Sequence, residues 1–98
     1  VADGPMKKVQ EIKTKLFKFD NLAQYSPSSY YLSITGVKAI TGIPSSATIL
    51  SVNVAGWSGL GTAVGVGMNT SDGIYVFFSN GWTVSSASYI TVQFAYVV

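Results

Sequence analysis

From Ala39 to Val98 the chain carries a single charged side chain, Asp72. Average usage would put about fifteen charges in a stretch of that length. All six cationic residues, Lys7, Lys8, Lys13, Lys15, Lys18 and Lys38, fall in the first 38 positions, together with the acids Asp3, Glu11 and Asp20. A segment so poor in ions is either buried against other copies or displays a neutral, hydroxyl-rich surface. The many Ser, Thr, Asn and Tyr residues favour the second and do not exclude the first.

The 98 residues contain neither histidine nor cysteine. Nucleophilic triads and dyads built on His have no base here. Zinc, copper and haem lose their usual ligands, so no cofactor is expected. Disulfides are excluded. A domain this small has a thin stability margin, which leaves self-association as the natural supplement. Glycoside hydrolysis needs two carboxyl groups at a set separation. Asp20 and Asp72 are far apart in sequence and each sits at a turn, where aspartate is common for backbone reasons. Lys38 has no surroundings that would lower its pKa for a Ser–Lys scheme. The expectation is a protein that is not an enzyme.

Other ligand classes fit poorly. The glycines of Gly56-Trp57-Ser58-Gly59-Leu60-Gly61 and of Gly61 to Gly67 lack the Gly-Lys-Ser/Thr ending, the following helix and the basic residue of a phosphate loop. They read as permitting tight turns and close strand packing. Asp72 alone is a poor calcium site. Nucleic-acid binding needs cations among the aromatics, and the aromatic-rich C-terminal part has none. Thr48 to Met68, the most apolar stretch, is broken by Asn53, Ser58 and glycines, so membrane insertion is not expected. Lys7-Lys8 precedes no apolar signal core.

Hydrophobic alternation marks strands along one β domain, residues 9–98, behind a flexible segment 1–8. Lys7 to Asp20 fits either helical spacing or a lysine-guarded edge strand, with strand favoured at Phe17–Phe19. Tyr30 to Thr35 alternates after the turn cluster Tyr25-Ser26-Pro27-Ser28-Ser29. Thr48 to Val54 places Leu50, Val52 and Val54 on one face, with Ile49, Ser51 and Asn53 on the other. Thr62 to Met68 has a small face, Ala63, Gly65 and Gly67, against which a backbone or ring is expected to pack. Asn69-Thr70-Ser71-Asp72-Gly73 is a hairpin loop, and Ile74 to Phe78 is the strand after it. Asn80-Gly81 has the pattern of a two-residue type I′ hairpin, with Trp82 to Val84 returning. Tyr89 to Val98 ends the chain as a strand apolar on both sides, suited to the centre of a sheet or to a symmetry axis. Some seven short strands with frequent turns predict an all-β fold, an antiparallel β-sandwich or jelly-roll-like barrel.

The remaining chemistry lies in aromatics near loops. Trp57 falls in a Gly/Ser loop, Trp82 follows Asn80-Gly81, and Tyr75 opens a strand. Aromatic faces stack on the C–H faces of sugars, and polar neighbours such as Asn69 and Asp72 would bond the hydroxyls. These five residues are the candidate ligand-binding set. For each Trp the favoured reading is a core plug or an intersubunit anchor.

The run Ile43-Pro44-Ser45-Ser46-Ala47-Thr48-Ile49-Leu50-Ser51-Val52, then Gly56-Trp57, Gly73-Ile74-Tyr75-Val76-Phe77-Phe78 and Ser88-Tyr89-Ile90-Thr91-Val92-Gln93-Phe94-Ala95-Tyr96, resembles the C-terminal head modules of bacteriophage tail fibres and receptor-binding proteins. The resemblance implies a homotrimeric β-sandwich or jelly-roll head in the virion tail, assembled in the bacterial cytoplasm with other tail proteins, that binds a bacterial cell-surface saccharide. A structural tail-assembly module without a ligand, or a bacterial carbohydrate-binding module, stands as the alternative.

Overall fold

The computed structural model describes residues 10–98; segment 1–8 and its boundary with the domain lie outside them. The described residues form six strands, β1 (Lys13–Phe19), β2 (Tyr31–Thr35), β3 (Thr48–Ser58), β4 (Gly65–Thr70), β5 (Gly73–Phe77) and β6 (Tyr89–Val97). They make two antiparallel three-stranded sheets, ordered β1-β6-β3 and β2-β5-β4. The fold is thus all-β in its sheets, as the alternation predicts. One short helix, α1 (Val37–Thr41), and a 3-10 turn at Leu22–Tyr25 interrupt it.

Alternation decides which side chains meet. Leu32 and Ile34 on β2, Ile74 and Val76 on β5, and Ile90, Val92 and Phe94 on β6 are all fully or almost fully buried. They join Phe19, Leu22, Val37 and Leu60 in one apolar cluster that draws on both sheets. β1 is an edge strand, and Lys13, Lys15 and Lys18 are interleaved with Thr14, Leu16 and Phe17 along it. Charges at such an edge discourage pairing with another chain. The terminal strand β6 occupies the centre of its sheet, hydrogen-bonded on both sides.

Several sequence expectations are corrected. Register shifts between Ile49 and Ser51 and between Val54 and Gly56 make bulges at Leu50 and Ala55. The first bulge changes the phase of β3. Ile49 and Val52 pack against the core, while Leu50 is 51% exposed. β3 also runs on through Gly56 and Trp57, so Trp57 is a strand residue and not part of a loop. Trp82 to Val84 forms no strand, so the described residues hold six strands where some seven were expected. The Asn80-Gly81 turn is closed by a hydrogen bond from the Trp82 N–H to the Ser79 carbonyl, 3.0 Å. Gly81 alone has positive φ, 78°, the pattern of type II and not type I′. β4 begins at Gly65, not at Thr62.

Helix α1 has only five residues and is held from outside. Lys38 N–H donates to the Asp72 carboxylate at 2.8 Å, and Val37 N–H donates to the Asp72 carbonyl at 3.1 Å. These satisfy two of the free N–H groups at the helix start. The Thr41 hydroxyl donates to the Val37 carbonyl at 2.6 Å. Among the described residues no helix is long and apolar enough to cross a membrane.

Candidate functional site

The inward side chains of β2 and β5 leave Tyr31, Ser33, Tyr75 and Phe77 on the opposite, outer face. The register sets Tyr31 against Phe77 and Ser33 against Tyr75. Tyr30, just before β2, completes a group of four rings. Its neighbours anchor it: Phe78 N–H donates to the Tyr30 carbonyl at 2.9 Å, and Gly81 N–H donates to the Ser29 carbonyl at 2.7 Å.

The rings form one continuous shelf. Tyr31 meets Tyr75 edge to face, centroids 5.7 Å apart, and lies 6.5 Å from Phe77. Tyr75 and Phe77 are 5.7 Å apart, and Tyr30 lies 5.1 Å from Tyr31. Tyr30, Tyr31, Tyr75 and Phe77 line an open cleft of about 220 Å³. Tyr30 and Phe77 remain 50% and 41% exposed. Among the described residues, no charged side chain lines this cleft.

The five residues expected from the sequence do not converge. Tyr75 is in the middle of the shelf. Asn69 and Asp72 sit at the β4–β5 hairpin, Asn69 at a bulge between Met68 and Thr70. The Asp72 carboxylate is engaged with α1. Trp57 and Trp82 both grip the Gly59-Leu60-Gly61 turn. The Trp57 indole N–H donates to the Gly61 carbonyl at 3.0 Å, and that of Trp82 to the Gly59 carbonyl at 2.9 Å. The Ser88 hydroxyl also donates to the Gly59 carbonyl, at 2.7 Å. Both indoles stay partly exposed, 40% and 47%.

Tyr30, Tyr31 and Phe77 were not distinguished by sequence reasoning. The available signal was the alternation itself: Tyr31 and Ser33 opposite Leu32 and Ile34, and Tyr75 and Phe77 opposite Ile74 and Val76. The small face of β4 is also corrected. A Cβ built on Gly65 or Gly67 meets no heavy atom within 4 Å, so neither a backbone nor a ring packs there.

Compared with protein-family models, with curated proteins and with solved structures, the chain matches none.

Proposed function

We propose that this domain is a non-enzymatic recognition module of the phage tail-fibre or receptor-binding type, a β-sandwich that binds a neutral cell-surface saccharide on its tyrosine shelf. The observation that carries the reading is the cleft lined by Tyr30, Tyr31, Tyr75 and Phe77 with no charged residue among them. The π faces of such rings suit the C–H faces of sugars, and the phenol hydroxyls with Ser33 supply donors and acceptors for sugar hydroxyls. Lack of charge favours a neutral ligand over an acidic one. The outer face around the cleft, Tyr31, Ser33, Thr35, Tyr75, Phe77, Gly65 and Gly67, has no aliphatic side chain. The host-recognition setting, in a virion tail, rests on the resemblance of residues 43–96 to tail-fibre heads.

Glycan-array binding of the purified domain tests this, with Tyr31→Ala and Tyr75→Ala as shelf variants and Trp57→Ala and Trp82→Ala as comparisons. Loss of a neutral-glycan signal in the shelf variants alone supports the reading. Unchanged binding in both shelf variants sinks it.

A second observation favours self-association. Leu16, on β1 and opposite Gln93, is 61% exposed, and Leu50 on the other edge strand of the same sheet is 51% exposed. We assign this outer sheet surface to contact between copies, consistent with a homotrimer.

A further inference from the structure

Gly65 and Gly67 stand on β4 directly opposite Phe77 and Tyr75. Neither has positive φ, and a side chain at either would enter open space. Glycine in a strand interior weakens the strand through entropy and missing packing. A β-branched residue suits a pleated strand better. The fold therefore gains nothing from these two glycines.

Their effect is on the shelf. They leave bare backbone along one flank of the Tyr75–Phe77 row, while the Tyr31 ring borders the other. The result is an open strip one strand wide over β4, beside the ring row of β5 and next to the aromatic cleft. The 5.7 Å between the Tyr75 and Phe77 centroids is close to one pyranose repeat of an extended glycan.

We propose that the ring row and the open strip beside it form a track for a linear, neutral saccharide lying along β5, with successive rings on Tyr75 and Phe77 and the chain's flank over Gly65 and Gly67. The inference rests on the saccharide reading above and adds the ligand's shape and orientation to it. Gly65 and Gly67 are then specificity-determining: they admit a chain that a side chain at either position would shut out.

The test titrates the domain with ladders of cello-, chito- and malto-oligosaccharides by calorimetry. Affinity for the preferred ladder is expected to rise on the order of tenfold from mono- to trisaccharide, as the second ring is engaged. Gly65→Thr/Gly67→Thr should keep or raise the melting temperature and weaken binding by about tenfold or more. Tyr75→Ala/Phe77→Ala should also lose binding. If the glycine variant binds like wild type, or affinity is flat with chain length while the aromatic variant loses binding, the track is wrong and the saccharide reading survives. If neither the ladders nor the glycan array shows binding to the wild-type domain, or the aromatic variant binds unchanged, both fall.

Discussion

The carboxylate of Asp72 caps the helix that begins at Val37, accepting the Lys38 N–H at 2.8 Å across 34 positions of sequence. A hairpin loop on one side of the molecule thereby fixes a helix too short to persist alone. Asp72→Ala removes the acceptor and leaves a helix N–H without its partner. The expected loss is about 1–2 kcal/mol, in the range of other cap deletions, read as a lower urea midpoint with the slope unchanged. Saccharide binding should be untouched, because Asp72 does not line the tyrosine cleft. Loss of binding at full stability would place Asp72 in the ligand site after all.

The two tryptophans clamp the Gly59–Gly61 turn through their indole N–H groups. Trp82→Phe keeps most of the ring and deletes one of these bonds. It should cost about 1 kcal/mol. Amide hydrogen exchange should quicken locally, at residues 59–61, while β5 and β6 keep their protection. Exchange that rises uniformly over the domain would contradict a local clamp.

Gly61 has φ of 83°, and a Cβ there would come within 2.7 Å of the Ser79 Cβ and 3.3 Å of the Trp82 ring. Gly61→Ala thus combines a left-handed backbone with a collision at the turn that Trp57 and Trp82 hold. About 2–4 kcal/mol of destabilisation is expected from strain and overpacking together. The contrast with Gly65→Thr and Gly67→Thr, which should be neutral or stabilising, can be read in one set of thermal melts. Equal losses at all three positions would mean that the outer face of β4 is not open.

The parts legible in the sequence are those where one strand's own alternation suffices. Tyr30 to Thr35 announces its buried face without reference to neighbours, whereas Ile74 to Phe78 and Tyr89 to Val98, apolar on both sides, announce only that they are strands. The Asn69–Gly73 hairpin is written in its turn residues. What escaped depends on distant partners. Helix α1 shows no helical period in five residues, and its cap comes from Asp72. The bulge at Leu50 reverses the apparent face of Ile49. Asn80-Gly81 carries the strongest local hairpin signature, yet Trp82 turns back to the Gly59 carbonyl and no strand follows. The shelf was half visible for the same reason. Tyr75 stands out locally, but only the β2–β5 register brings Tyr31 to Phe77 and Tyr75.

The shelf's neutrality has a consequence for solution conditions. The chain has no histidine, the one side chain whose ordinary pKa lies between about pH 5 and 8. Among the described residues no charged group lines the cleft. Binding of a neutral saccharide should therefore be flat from about pH 5 to 8, and indifferent to salt up to about 1 M, since there is no charge pair to screen. Calorimetric titration at several pH values and ionic strengths checks both. A steep salt dependence would point to an anionic ligand held by the lysines of β1.

Self-association makes the last prediction. Leu16 faces outward from an edge strand, between Lys15 just before it and Lys18 two positions after it, which guard that edge. An exposed leucine is unremarkable singly. Leu50, at the bulge of the opposite edge strand of the same three-stranded sheet, is a second exposed leucine on that sheet. Burying that surface between copies removes it from water and adds the stability that a small core lacks. Leu16→Glu should shift light-scattering mass toward the monomer, and because the side chain is already in solvent, the fold of each protomer should survive, as circular dichroism would report. Wild-type protein that stays monomeric at every concentration would remove self-contact through this face, and with it the proposed homotrimer, while leaving the tyrosine shelf unaffected.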